Sequence, residues 1–294
     1  MGRRFNRFSS SLIVFCGGTM LAALPASAGD MPPNFAPDSG TGWVSRGQDF
    51  LPPPSGPGPV RADPKRPRIS NDDLRAGTGQ PTRAIADLSN AILQPWARQE
   101  LKKRNDLVLS GNYAATPKER CWPIGVPGFL LYPVQPVYFV QTPKEVVLMW
   151  AEDHQVRHIY LDVPHSPHVA PSWFGESVGH YEGDTLVVDT IGLNTRTFID
   201  SFLTPHTDKL HVVERFRVVD GGKEMEVQVH VEDPGAFTTP WNGLQRYRRV
   251  DEKGKATDVR QMGGPMEEMA CAENNGDHFD QGLDAIPTAL KFDF

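Results

Sequence analysis

Apolar and polar positions change rhythm along the chain. From about residue 120 they alternate with a period of two in short runs, at 137–141, 145–150, 156–162, 173–182, 185–190, 210–219, 224–232 and 244–250. Turn chemistry separates these runs at 152–154, Gly183-Asp184 and Asp220-Gly221-Gly222. Successive strand side chains point to opposite faces, so each run offers one face to a core. Short β-rich runs broken by tight turns signal hairpins. Ahead of them, Ile85, Leu88, Ile92, Trp96 and Leu101 approximate a helical stripe. Pro95 breaks that stripe or opens a second helix in its first turn. The pattern predicts a mainly β fold: an antiparallel barrel or strongly curled sheet of about eight strands, with one or two helices ahead of it. A two-sheet sandwich is the alternative. A barrel of this size is either filled by side chains or holds one small ligand.

Two earlier stretches follow neither period. Residues 1–28 combine Arg3, Arg4 and Arg7 with an uncharged apolar run over 11–24 and a small-x-small site, Ala26-Ser27-Ala28. This reads as a Sec-type signal peptide cut after Ala28, too short in its apolar part to span a bilayer. It predicts a periplasmic or secreted protein with no membrane span. Residues 29–82 hold 11 of the 27 prolines, including Pro52-Pro53-Pro54. They read as an extended, mostly disordered lead, or as an arm anchored by Trp43, Phe50 and Leu51. The remainder, 83–294, reads as one β-rich domain.

Charge and cysteines sharpen the class. The net charge of −6 becomes −9 once the three arginines of the leader are removed. That argues against nucleic acid, whose phosphates need a basic face. Cys121 and Cys271 remain after Cys16 is cut away. In an oxidising compartment they read as a disulfide, with two buried thiols as the alternative.

The candidate chemistry comes from strand alternation. In 210–219, Glu214 shares a face with Leu210, Val212, Phe216 and Val218; His211, Val213, Arg215 and Arg217 share the other. A carboxylate among apolar neighbours must be paired, hydrogen-bonded or protonated, and desolvation suits it to acid–base work. A core ion pair with Arg246 or Arg248 is the competing reading. Asp233 ends the apolar face of the next run. In 173–182, Trp173, Gly175, Ser177, Gly179 and Tyr181 share a face, and the two glycines suggest a bend or close backbone approach. His180 and Asp184 flank the following turn. Nine histidines include His165 and His168 in a loop, and His206 and His211 at a loop–strand junction. None has a metal-site spacing. Gly175-Glu-Ser-Val-Gly179 fits a serine nucleophile elbow in letters, but the motif needs a strand–turn–helix context and the strand pattern continues here. No nucleotide-binding loop is visible, so no cofactor is expected.

The run from Gly175 through Glu182-Gly183-Asp184-Thr185-Leu-Val-Val-Asp189 to Asn194 resembles a family of exported bacterial proteins of uncharacterised activity, with the pattern GxSVGx[WY]EGDTLVVDT. The resemblance extends over Pro205-His206, 210–217, Glu232-Asp233-Pro234 and Pro240-Trp241. It includes Cys121-x-Pro123-x-Gly125 and Cys271-x-Glu273-Asn274-Asn275. It implies an exported, lipocalin-like β domain and carries no reaction with it.

Two functional expectations follow. The first is a cofactor-independent enzyme, acting on a small, partly apolar molecule inside the barrel by hydrolysis, hydration, isomerisation or elimination. Its catalytic candidates are Glu214, His211, Asp184, His180 and His206. Trp173, Tyr181, Phe216, Arg215 and Asp233 would contact the substrate. The second is a lipocalin-like carrier using the same groups to orient a ligand.

Overall fold

The computed structural model describes residues 32–37, 41–67, 85–111, 116–118, 121–131, 136–150 and 155–250. The segment 1–28 expected to be a signal peptide, Cys16, the expected turn at 152–154 and the Cys271 motif lie outside the described residues.

Among the described residues, nine strands close into one barrel in sequence order. They are β1 (Gly42–Ser45), β2 (Val137–Gln141), β3 (Glu145–Trp150), β4 (Gln155–Leu161), β5 (Glu176–Glu182), β6 (Thr185–Ile191), β7 (His211–Val219), β8 (Glu224–Glu232) and β9 (Trp241–Val250). The helix α1 (Pro95–Leu109) precedes the main strand series and opens on proline at its first turn, where a missing N–H costs nothing. Buried Ala97 and Leu101 face the core from α1. No described helix is long and apolar enough to cross a membrane.

Two features correct the sequence reading. The lead expected to lie outside the domain supplies β1, which closes the barrel by pairing with both β2 and β9. Trp43 and Phe50 are buried as anchors, while Leu51 is 45% exposed and holds its place by a backbone bridge to Leu244. The sheet is also not wholly antiparallel, because β4 and β5 run parallel. Parallel neighbours need a crossover, and residues 162–175 provide it over the outside of the wall.

Burial alternates as strand geometry demands. On β7, Val212, Glu214 and Phe216 are buried, while His211, Val213 and Arg215 are only half-buried. On β8, Met225, Val227, Val229 and Val231 point inward. At the start of β5, Gly175 has φ +64°, and a Cβ there would lie 2.3 Å from the Ile191 carbonyl oxygen. The close backbone approach expected from that glycine is what the structure contains.

Candidate functional site

The interior polar centre is built around Glu214 and Arg157. Both are inward residues, on β7 and β4, with 0% and 2% side-chain exposure. Glu214 sits in register between Val188 and Val229. The Arg157 guanidinium meets its carboxylate through both nitrogens, at 2.5 and 3.1 Å. Arg157 also donates to the Ser177 and Thr190 hydroxyls, at 3.1 and 2.8 Å, and lies 5.0 Å over the Phe129 ring. This carboxylate is therefore buried and held by Arg157 at both oxygens. Neither Arg246 nor Arg248 is its partner, since both fall on the outward parity of β9 and Arg246 bonds Glu226 instead. Beside Arg157, a cavity of about 10 Å³ is lined by Phe129, Val137, Leu148, Trp150, Gln155 and Phe174. That is room for about one water.

The other expected residues do not converge on Glu214. His180 is exposed and bonds Glu182, and Arg215 reaches the same Glu182 at 2.5 Å. Asp184 pairs with Arg217 and accepts from the Thr185 hydroxyl, which is the larger influence holding its carboxyl below the usual range. These are solvated groups at one hairpin. His206 is buried, and its Nδ1 donates to the Thr207 carbonyl, so its Nε2 accepts from the Thr197 hydroxyl at 2.8 Å. Burial keeps that ring neutral by pushing its pKa down. Asp233 is a loop staple, accepting from the Thr207 N–H and hydroxyl and from the Gly235 and Ala236 N–H groups. Tyr181 hydrogen-bonds Gln141, and burial raises its pKa; Phe216 packs edge-on against Phe139 in the core. Trp173 lies outside the barrel wall's regular strands, tilted against Trp122 with Arg196 over both rings. Ser177 is consumed by Arg157 and Thr190 inside a continuous strand, so it is no nucleophile elbow.

His211 alone leads to a second centre, on the outer wall. Asp189 of β6 receives two imidazoles on a single oxygen: His211 Nε2 and His165 Nε2 both lie 3.0 Å from Oδ1. The outer sides of these rings meet further carboxylates. His165 Nδ1 faces Glu176 Oε1 at 3.0 Å, and His211 Nδ1 faces Glu232 Oε2 at 3.6 Å. His230 bonds Glu232 at 2.9 Å, and the Ser166 hydroxyl and N–H both donate to Glu176. The result is a chain of alternating acids and imidazoles across β5, β6, β7 and β8. His211 stands directly opposite Glu232, and Asp189 is its diagonal neighbour across the β6–β7 pair.

Electrostatics follow from that alternation. The Asp189 hydrogen bond raises the His211 pKa against the opposing effect of burial. His211 in turn holds Asp189 below the usual carboxylate range, again against burial. Glu232 is lowered chiefly by its bond to His230, and Glu176 by the Ser166 hydroxyl. His211 retains 33% exposure and Asp189 41%, so solvent reaches both. Among the described residues, no group of three or more His, Cys, Asp or Glu side chains has an arrangement that would hold a metal ion.

Sequence reasoning reached His211 but missed Asp189, His165, Glu176 and Glu232 as its company. Parity places Asp189, His211 and Glu232 on outward positions, but only the strand register brings them together. His165 arrives from the crossover, whose path no periodicity encodes. No protein-family model, curated protein or solved structure matches the chain.

Proposed function

We propose that the protein is an exported enzyme whose acid–base site lies on the outer wall, at His211 and Asp189, and not in the lumen. The observation that carries this reading is a half-exposed imidazole held between two carboxylates, with its charged form favoured. A proton donor needs a fixed orientation, a counter-charge that stabilises the imidazolium, and access to the reacting molecule. Asp189 supplies the first two, and the partial exposure of His211 supplies the third. With Nε2 held on Asp189 at 3.0 Å, it is Nδ1, whose contact with Glu232 is 3.6 Å and beyond hydrogen-bond distance, that gives a proton to a leaving or developing oxygen and recovers it in the return step. This suits cofactor-independent hydrolysis, hydration, isomerisation or elimination on a small molecule. Glu214 has no part in it, because Arg157 occupies both of its oxygens.

Export is supported by the basic, apolar and small-residue order of 1–28, and by Cys121, which is disulfide-bonded. Cys271 is the proposed partner, and such a pair is in keeping with the periplasm or the outside of the cell, where disulfides persist.

The test is a turnover screen of the purified mature protein on ester, lactone, epoxide and β-hydroxycarbonyl probes, followed by His211→Gln and Asp189→Asn. Turnover that falls at least about a hundredfold in both variants supports the site, given the usual contribution of a positioned acid or base. Turnover unchanged in His211→Gln, or no turnover of any probe by the wild type, rejects it.

A second reading is small-molecule binding without chemistry. It gains support from a surface groove of about 580 Å³ between the Pro52–Pro59 stretch, the Asp87–Ile92 turn and Thr238-Thr239. That volume lies in the range of ligand pockets. A lipocalin-like lumen site has less to rest on, with about 10 Å³ of space beside Arg157.

A further inference from the structure

Residues 51–59 hold five prolines and two glycines, a composition that suits neither strand nor helix. The stretch is hung on β9 instead. The Leu51 N–H donates to the Leu244 carbonyl at 2.8 Å, and the Asn242 N–H to the Pro57 carbonyl at 3.1 Å. Across from it, 87–92 is folded by its own side chains. Asp87 Oδ1 accepts from the Ser89 N–H and hydroxyl, at 2.9 and 2.7 Å, and Asn90 Oδ1 accepts from the Ile92 N–H at 3.1 Å. Asn90 Nδ2 ties the two walls together by donating to the Pro59 carbonyl at 3.2 Å. Thr238 closes the third side through its N–H on the Ile92 carbonyl, and Arg98 of α1 braces the turn by donating to the Leu88 and Asn90 carbonyls. The groove of about 580 Å³ between these walls is thus braced before any ligand arrives, which lowers the cost of binding.

Two unlike charges line this groove side by side. Ala62 and Ala86 form an isolated antiparallel bridge, flanked by the Asp87 N–H on the Arg61 carbonyl. Arg61 therefore stands opposite Asp87. Ala86 is buried and Ala62 packs against the core, so alternation turns Arg61 and Asp87 outward, where both line the groove. Opposite charges at facing positions ordinarily pair. Here Arg61 and Asp87 form no ion pair, with each other or with any described residue. Asp87 Oδ1 is committed to Ser89, and its Oδ2 has no partner among the described residues. The same holds for the Arg61 guanidinium and the Thr239 hydroxyl. Pro52, Pro57, Ala91 and Ile92 add aliphatic surface to the lining.

We propose that this groove binds a free α-amino acid with an apolar side chain: Arg61 takes the carboxylate, Asp87 the ammonium group, and the proline wall the side chain. This gives a ligand class to the second reading above and rests on that reading, not on the outer-wall site. The charges select against the alternatives. A dicarboxylate sets one of its charges against Asp87, and a diamine sets one of its own against Arg61. A molecule carrying both signs on neighbouring atoms satisfies both residues. The guanidinium fork meets a carboxylate through two parallel N–H bonds, with the Thr239 hydroxyl as a further donor on the groove wall. Asp87 Oδ2 accepts from the ammonium group, which only donates. The volume lies in the range of small-molecule sites, so a side chain as large as leucine's has room against Pro52, Pro57 and Ile92.

Calorimetric titration of the mature protein with leucine, N-acetylleucine and leucine amide near neutral pH tests this. Blocking either charge removes one charge-assisted contact, so each derivative should bind about tenfold or more weakly than leucine itself. Arg61→Gln and Asp87→Asn should each weaken leucine by about the same factor. Asparagine still accepts from the N–H two residues on, so Asp87→Asn removes the charge and keeps the turn. Leucine binding unchanged in either variant overturns the assignment. Either derivative binding as tightly as leucine, and lost when Ala91→Trp fills the groove, overturns the amino acid and leaves the groove as a binding site. No heat from any of the three up to about 10 mM also overturns the amino acid. The groove reading itself falls if, in a general fragment screen, Ala91→Trp changes the binding of no small molecule.

Discussion

Replacing Glu214 separates a structural carboxylate from a catalytic one. Glu214→Gln keeps the shape but removes the charge opposite Arg157. The guanidinium then stays buried beside Phe129, Ser177 and Thr190, having lost the counter-ion it holds in the wild type. Breaking a buried ion pair from one side costs about 3–5 kcal/mol. The exposures of 0% and 2% put this pair at the buried extreme. A domain of ordinary stability has about 5–15 kcal/mol in total, so the variant should lose about a fifth of it or more. Urea denaturation followed by tryptophan fluorescence reads this as a lower midpoint with an unchanged slope. Removing both charges in Glu214→Leu with Arg157→Met should recover most of the loss, since apolar replacement of a whole buried pair is often neutral. The hydroxyls that Arg157 leaves behind satisfy each other, because Ser177 and Thr190 already lie 3.0 Å apart. A Glu214→Gln protein within about 0.5 kcal/mol of wild type would refute the reasoning. If that stable variant had also lost turnover, the lumen carboxylate would again be a catalytic candidate.

Two further outcomes follow from single side chains. Asp200 accepts from the Phe202 and Thr204 N–H groups and the Thr204 hydroxyl, yet burial dominates and pushes its pKa up to about 6. The folded protein then holds a proton that the unfolded chain releases, so stability falls as pH rises from about 4 to about 6, by about 3 kcal/mol. Asp200→Asn should remove that slope and gain stability relative to wild type above it, as read by melting curves across pH; a parallel pair of curves would show the burial account wrong. Gly175→Ala puts a Cβ 2.3 Å from the Ile191 carbonyl oxygen at a positive φ. The nearest atoms are main chain and cannot swing aside, so a loss of about 2–4 kcal/mol in chemical denaturation is expected, and a change under about 0.5 kcal/mol would contradict the placement of β5 against β6.

How much of this was legible depended on whether the signal was local. The helix announced itself through Pro95, but of the expected stripe Ile85, Leu88 and Ile92 lie ahead of it and Trp96 is exposed, so that Leu101 faces the core together with Ala97, which the stripe did not include. The hairpin at Gly183 was equally readable, because its turn residues and the alternation on both sides lie within one short window. β1 was not: Gly42–Ser45 is four residues long, too short for a period to emerge, and the prolines around it set the composition of the whole lead. What fixes it is pairing with Val250 and Tyr138, which only the closed barrel supplies. The parallel β4–β5 pair was hidden for a related reason. A crossover is usually recognised by its helix, and a segment with three prolines in nine residues cannot form one.

The candidate site shows the same division. Alternation placed Glu214 indoors correctly, and it equally placed His211 outdoors, since residues three apart on a strand point opposite ways. Treating the two as one catalytic unit ignored the wall between them. The partner of Glu214 had to come from an inward position, which Arg246 and Arg248 do not occupy and Arg157 does. Along β4 that position looks unremarkable, because Arg157 sits among the charged and polar residues of a half-solvated pattern until the register shows which face closes. The outer cluster is the converse case. Its acids and imidazoles each read as ordinary solvated positions on separate strands, and their chemistry exists only where four strands and a crossover bring them within hydrogen-bond reach. A strand's period tells which side of the sheet a group is on; which groups it meets there is decided by the register of its neighbours. That is why the inward carboxylate could be named in advance, while the Asp189 oxygen shared by two histidines could not.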